Sequence, residues 1–135
     1  HTGCGAVTAT YDALTDGGDD GGDEPTPAGV VACIDLLTPG LRSAVEALPE
    51  DVDRAVAIDR LVEANVDRQI EALRESDEVP DDTALVGVVY DFQDVYGGRR
   101  GEVHVVNVDG ERDVQTLRAA HPDAADRIDR LSVLA

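Results

Sequence analysis

His1-Thr2-Gly3-Cys4-Gly5-Ala6-Val7 opens the chain, and no other stretch of its length constrains the fold as much. An imidazole and a thiol three residues apart, with a glycine between them and another after, describe a tight turn. On such a turn both side chains can converge on one Zn²⁺, which takes nitrogen and sulfur ligands alike. Residues Ala6 to Leu14 have the composition of a short helix that follows the turn. Cys4 then lies at the positive end of the helix dipole, which suits the anionic sulfur that metal binding needs. Gly5 is placed to offer its backbone N–H to an anion at that same terminus.

Beyond the first helix, Thr15 to Pro27 reads T-D-G-G-D-D-G-G-D-E-P-T-P, a run of turn formers and acids expected to form a solvated surface loop. Asp16, Asp19, Asp20, Asp23 and Glu24 do not meet the D-x-[DN]-x-[DN]-G spacing of a calcium loop. Gly29 to Leu37 is apolar enough for a buried helical turn or two, in which Cys33 reads as a core residue. Thr38-Pro39-Gly40 then predicts a boundary, with Thr38 capping a new helix that runs to about Leu48. From Glu50 to Ser76 the apolar residues recur at spacings near three and four, which predicts a long amphipathic helix.

Ala84 to Phe92 is a β-branched apolar run with strand character, and its near-continuous apolarity predicts that both faces are covered. A Gly-Gly-Arg-Arg-Gly turn follows, and Glu102 to Val108 alternates as a half-exposed strand paired antiparallel to the first. Two strands do not form a stable sheet by themselves, so more is expected of the fold than this hairpin. Arg99 and Arg100 read as a solvated hairpin tip, and His104, between valines, as a surface histidine or one satisfied by a neighbour. Asp113 to Ala120 and Pro122 to Leu134 predict two short helices, with His121 at their boundary.

The run H-T-G-C-G-A-V resembles the second zinc motif of the β-class carbonic anhydrases, H-x-x-C-G followed by a small or apolar residue. Two further stretches are similar to that family in the same order. Asn65-Val66-Asp67-Arg68-Gln69-Ile70-Glu71-Ala72-Leu73 looks like its N-V-x-x-Q-V-x-x-L helix, and Gly87-Val88-Val89-Tyr90-Asp91-Phe92 like its late G-x-x-Y-D-hydrophobic strand. The resemblance implies an α/β fold whose central sheet is mostly parallel, with an antiparallel edge hairpin around Tyr90 and Val105 and flanking helices. It covers residues 1–108 apart from the acidic loop at 15–27, and leaves 109–135 as a helical C-terminal extension. It further implies that His1 and Cys4 ligate Zn²⁺ and that Gly5 borders the substrate site. The implied reaction is reversible hydration of carbon dioxide to bicarbonate by a zinc-bound hydroxide. Homodimers or multiples of dimers are the implied assembly. The family's remaining zinc ligand and its Asp-Arg pair come from an upstream C-x-D-x-R motif, which this chain lacks; Cys33 sits in V-A-C-I-D-L-L. Two ligands make a poor zinc site beside three or four. The expectation is therefore a C-terminal part of a longer reading frame, inactive by itself. A same-fold hydrolase of carbonyl sulfide or carbon disulfide and a non-catalytic dimerisation module are the alternatives.

Composition bounds the rest. The 135 residues suffice for one domain with a modest core. The formal charge of −18 comes from 29 acids against 11 basic residues, every one of them Arg. Such a field disfavours nucleic acid and anionic membrane as partners, both of which call for clustered cations. No apolar run approaches the ~20 residues of a membrane span and no signal peptide is visible, so a cytoplasmic location is expected. Two cysteines do not make a disulfide framework. An Asp-rich, Lys-free chain with a high, periodic content of aliphatic residues reads as a folded protein adapted to high salt, where the Debye length shrinks to about 3 Å at 1 M and self-repulsion is screened. Circular dichroism melts should accordingly show a markedly higher midpoint in ~2 M KCl than in dilute buffer; equal midpoints would refute the salt adaptation.

Overall fold

The elements run α1 (Gly5–Thr15), α2 (Ala28–Glu46), α3 (Arg54–Arg74), β1 (Val86–Asp91), β2 (Glu102–Val108) and α4 (Val114–Ala120), ending in a 3₁₀ turn over Pro122–Arg127. They are seen in a computed structural model that describes residues 1–15 and 26–131. The acidic loop, with its five carboxylates from Asp16 to Glu24, lies outside the described residues, as does the end of the chain from 132 onward.

Helix α3 organises the rest. Asp53 caps it, its carboxylate accepting the N–H groups of Ala55 and Val56 at 2.8 and 3.4 Å. Arg74 in its last turn meets the negative end of the dipole. The buried face of α3 carries Ile58, Leu61 and Val62, which form one core with Val7 of α1, Leu41 of α2, Val89 of β1 and Val106 of β2. Each such side chain removed from water contributes about 1.5–3 kcal/mol.

The architecture is mixed α/β, and its sheet is the two-stranded antiparallel ladder β1-β2, with Tyr90 opposite Val103 and Val86 opposite Val108. A bulge between Gly87 and Val88 leaves Val106 without a partner in the ladder. Gly87 is required there, because a Cβ would stand 2.6 Å from Cγ1 of Val66 on α3. Among the described residues there is no central parallel sheet; parallel pairing is confined to a single bridge between Val105 and Ile128. The expectation that β1 is covered on both faces is also corrected. Gly87, Val89 and Asp91 face inward and are buried, whereas Val86, Val88 and Tyr90 are 41–54% exposed.

Two further expectations give way along α2. Thr38 does not cap a new helix; its hydroxyl donates to the Ile34 carbonyl at 2.7 Å and the helix runs on through Pro39. Leu41, fully buried beyond the proline, anchors the second half to the core, and that packing outweighs the hydrogen bond Pro39 cannot make. The uninterrupted helix has 19 residues and a mean hydropathy of 1.4, so by length and composition alone it could cross a membrane. Splitting the segment at Thr38-Pro39-Gly40 hides that length in the sequence. Cys33, expected in the core, is exposed, because Leu41 is the buried residue of α2 and the turns before it lie outward.

The C-terminal segment is held by charge. Arg130, its side chain 8% exposed, donates to both oxygens of Asp67 at 3.0 and 2.8 Å and to the Val106 carbonyl at 2.6 Å. Its guanidinium also lies 3.7 Å from the fully buried Glu63. Ile128 and Leu117 are buried beside it, while the second predicted C-terminal helix reduces to the 3₁₀ turn in the described part of 122–134. Arg130→Ala removes the buried cation paired with Asp67 and Glu63 and should cost about 3–5 kcal/mol. Glu63→Gln keeps an acceptor for its neighbours and should cost clearly less, a ranking that urea unfolding midpoints will check.

Candidate metal centre

The first four residues form a turn sewn to the body from three sides. The N–H of Thr2 donates to the Tyr90 carbonyl at 3.0 Å, on the edge of β1 away from β2. The Thr2 hydroxyl donates to Asp91 Oδ1 at 3.2 Å and accepts the Phe92 N–H at 2.8 Å. The Gly3 N–H donates to Asp59 Oδ1 on α3 at 2.8 Å. Gly3 itself has φ +60°, and a Cβ there would press on the Gln93 amide at 2.7 Å, so this position accepts glycine for two reasons. The Cys4 carbonyl then accepts the N–H and hydroxyl of Thr8, both at 2.9 Å, which starts α1 immediately after the turn.

The sequence placed His1, Cys4 and Gly5 together, and the turn puts His1 and Cys4 at its two ends with Gly5 opening α1. His1 is exposed and packs edge-on against Phe92, ring centroids 5.2 Å apart. Its Nδ1 lies 2.9 Å from the Thr2 carbonyl oxygen. A carbonyl can only accept, so that nitrogen carries the proton and Nε2 is left with the lone pair a metal would use. Cys4 is half-buried, and nothing lies within 4 Å of the Cβ position of Gly5, which leaves its side of the turn open. Among the described residues no third His, Cys, Asp or Glu completes a metal-holding group. The donor set on this chain is one imidazole and one thiol, short of the three or four protein ligands zinc takes.

Beneath the turn lie three buried carboxylates that the sequence reading did not single out: Asp59, Glu63 and Asp91. Burial pushes the Asp59 carboxyl up, and the neighbouring Asp91 and Glu63 push it further, against the pull of the Gly3 N–H. Asp91 goes the other way. Burial alone would raise it, but the N–H groups of Tyr96, Gln93 and Val95 and the Thr2 hydroxyl together hold it below the ordinary range. A signal for two of the three was present in the sequence: at 100° per residue, Asp59 and Glu63 fall in the same sector of α3 as Val66 and Ile70. Asp91 is the acid of the quoted Y-D pair.

His104 corrects its expectation in part. It is buried at 4% exposure, stacked on Tyr96 with centroids 4.2 Å apart, and among the described residues neither ring nitrogen has a hydrogen-bond partner. His121 sits at the predicted boundary, between α4 and the 3₁₀ turn. Arg99 is 82% exposed and meets Glu102 at 3.3 Å within the hairpin. No protein-family model, curated protein or solved structure matches the chain.

The opposite shifts of Asp59 and Asp91 give opposite mutational signs. A depressed acid stabilises above its unfolded value of about 3.9 and loses that contribution as pH falls through its folded value, whereas a raised acid opposes folding once pH climbs above about 3.9. At pH 7, Asp59→Asn should therefore raise the melting temperature, since the amide oxygen still accepts from Gly3. Asp91→Asn should instead destabilise the fold by about 1–3 kcal/mol, because a buried N–H loses its acceptor. Melting curves from pH 7 down to pH 3 should show the Asp91→Asn deficit shrinking as the acid becomes protonated in the parent.

Proposed function

We propose that the chain is part of a β-carbonic anhydrase-like enzyme that hydrates carbon dioxide reversibly with a bound zinc ion. The observation that carries this reading is the turn itself. His1 presents Nε2, Cys4 stands at the start of a helix, and the backbone between them is fixed by Asp59, Asp91 and Tyr90. Zinc, when held, supplies a water ionised near neutral pH. His1 Nε2 and Cys4 Sγ would be the two ligands from this chain, and a C-x-D-x-R segment of the kind the family carries would supply the others. Two donors do not define a reaction geometry, and no step is assigned to further residues. Gly5, with open space beside it, is the candidate neighbour of substrate.

The finer fold belongs to the same proposal. We take β1 to be the last parallel member of a larger sheet and β2 its antiparallel edge. Two features favour this: Thr2 already bonds to Tyr90 along the edge of β1 opposite β2, and Val86, Val88 and Tyr90 form an apolar face too exposed for a finished sheet. A homodimer in a salt-rich cytoplasm completes the reading, and the exposed apolar residues of α2 and β1 supply surface for it.

Protein produced from the natural reading frame should contain about one zinc per chain and accelerate proton release from carbon dioxide in stopped-flow assays. His1→Ala and Cys4→Ser should each remove most of the metal and the rate. Zinc-free protein, or variants with unchanged metal content, would end the enzyme reading and leave the dimerisation module. Sulfide release from carbonyl sulfide or carbon disulfide, without carbon dioxide hydration, would select the related hydrolase.

A further inference from the structure

In a chain with 29 acids and 11 arginines, an arginine without an acidic partner stands out. Arg68 and Arg74 on α3 are two such residues: neither makes a hydrogen bond or ion pair among the described residues, and Arg68 Nε is buried without a partner. The fold is shaped around both. A Cβ at Gly40 of α2 would collide with the Arg68 guanidinium, and one at Gly110 would collide with that of Arg74. Gly110 also has φ +90°, in the turn between β2 and α4.

These arginines open onto two adjoining cavities that share Asp67, Glu71 and Arg112. The larger, of about 320 Å³, lies between α2 and α3 and is also lined by Arg68 and Arg130, with Ser43 offering a hydroxyl. The smaller, of about 120 Å³, adds Arg74 and the backbone of Gly110. Four guanidinium groups thus face two carboxylates. Glu63 lies beneath Arg130, and Arg74 also borders a third cavity whose lining includes Asp81, Asp82 and Asp109. Arg130 is already held on Asp67, and Arg112 reaches Asp67 only at 3.8 Å, so Arg68, Arg74 and Arg112 retain donors for a ligand.

We propose that this trough is a binding site for a small phosphate-class oxyanion, separate from the His1-Cys4 turn. The chemistry fits on three counts. Phosphate carries between one and two negative charges near neutrality, which the free donors of Arg68, Arg74 and Arg112 can meet. Guanidinium forks bond tetrahedral oxyanions in pairs, and weak hydration makes Arg the cation suited to a partly buried site. In a molecule of net charge −18 with 11 arginines, four of them gather on these two adjoining cavities, where a bound anion would meet them together.

The test titrates the whole chain with inorganic phosphate and with glycerol 3-phosphate, at constant ionic strength balanced by chloride, reading heat and melting temperature. Saturable binding of either probe is expected, and whichever binds more tightly identifies free phosphate or a phosphomonoester as the source. The double variant Arg68→Gln/Arg74→Gln removes no hydrogen bond or ion pair among the described residues, so apart from the small loss of the Arg74 charge at the end of α3 it should melt close to the parent in chloride, yet bind about tenfold or more weakly. Should that variant fold poorly, Arg112→Gln, which lies at an exposed position, should still weaken binding several-fold. Absence of saturable binding in the parent, or equal affinity in the parent and the folded variants, overturns the proposal.

Discussion

Asp59, Glu63 and Asp67 stand four residues apart along α3, and each captures a different part of the chain. Asp59 accepts from Gly3 in the opening turn. Glu63 accepts the Tyr96 phenol from the hairpin loop and the Leu131 N–H from the C-terminal segment, both at 2.7 Å. Asp67 takes the Arg130 fork and the Asn107 amide of β2. Spacing of four on a helix aligns side chains on one face, so a single element presents three acceptors in a row. Remove α3 from its place and the turn, the loop and the tail lose their common anchor.

The candidate metal centre inherits its geometry from that row and from one residue of β1. Asp91 ends the strand and receives the Thr2 hydroxyl and the Gln93 N–H on one oxygen and the Tyr96 N–H on the other. Its own carbonyl accepts Gly101 N–H at 2.7 Å, which closes the hairpin loop. The turn bearing His1 and Cys4 is therefore tied both to the core helix and to the strand end. Neither donor residue itself needs to be deeply buried to be well placed.

How far the sequence revealed this follows from what each level depends on. Local pattern found α3 through the helical recurrence of Ile58, Leu61 and Val62, β1 through its β-branched apolar run, and β2 through alternation. The same local reading found the start of α1, because Gly3 and Gly5 frame Cys4. It failed at Pro39, where packing through Leu41 overrode local propensity, and at Cys33, whose apolar neighbours gave no sign of which side would be covered. The buried acids were missed for a different reason: an Asp or Glu in an amphipathic helix reads as solvent-facing unless its angular position is checked. The arginine trough depends on α2, α3 and the Gly110 turn coming together, a contact that no local pattern encodes.

Why carboxylates occupy these positions follows from counting backbone donors. Gly3, Gln93, Tyr96 and Leu131 lie in irregular segments, and their N–H groups find no ladder or helix partner; each bonds to a buried carboxylate instead. An apolar side chain would pack as well and avoid the cost of burying charge. It would leave those N–H groups orphaned, at about 1–3 kcal/mol apiece. An amide could serve Thr2 and Gln93 through its single oxygen, but Asp91 also serves Tyr96 with its other oxygen, which needs a second acceptor where an amide has an N–H₂. The acids are kept because irregular backbone at the edge of a core must end on acceptors, and only a carboxylate provides them on both sides at once.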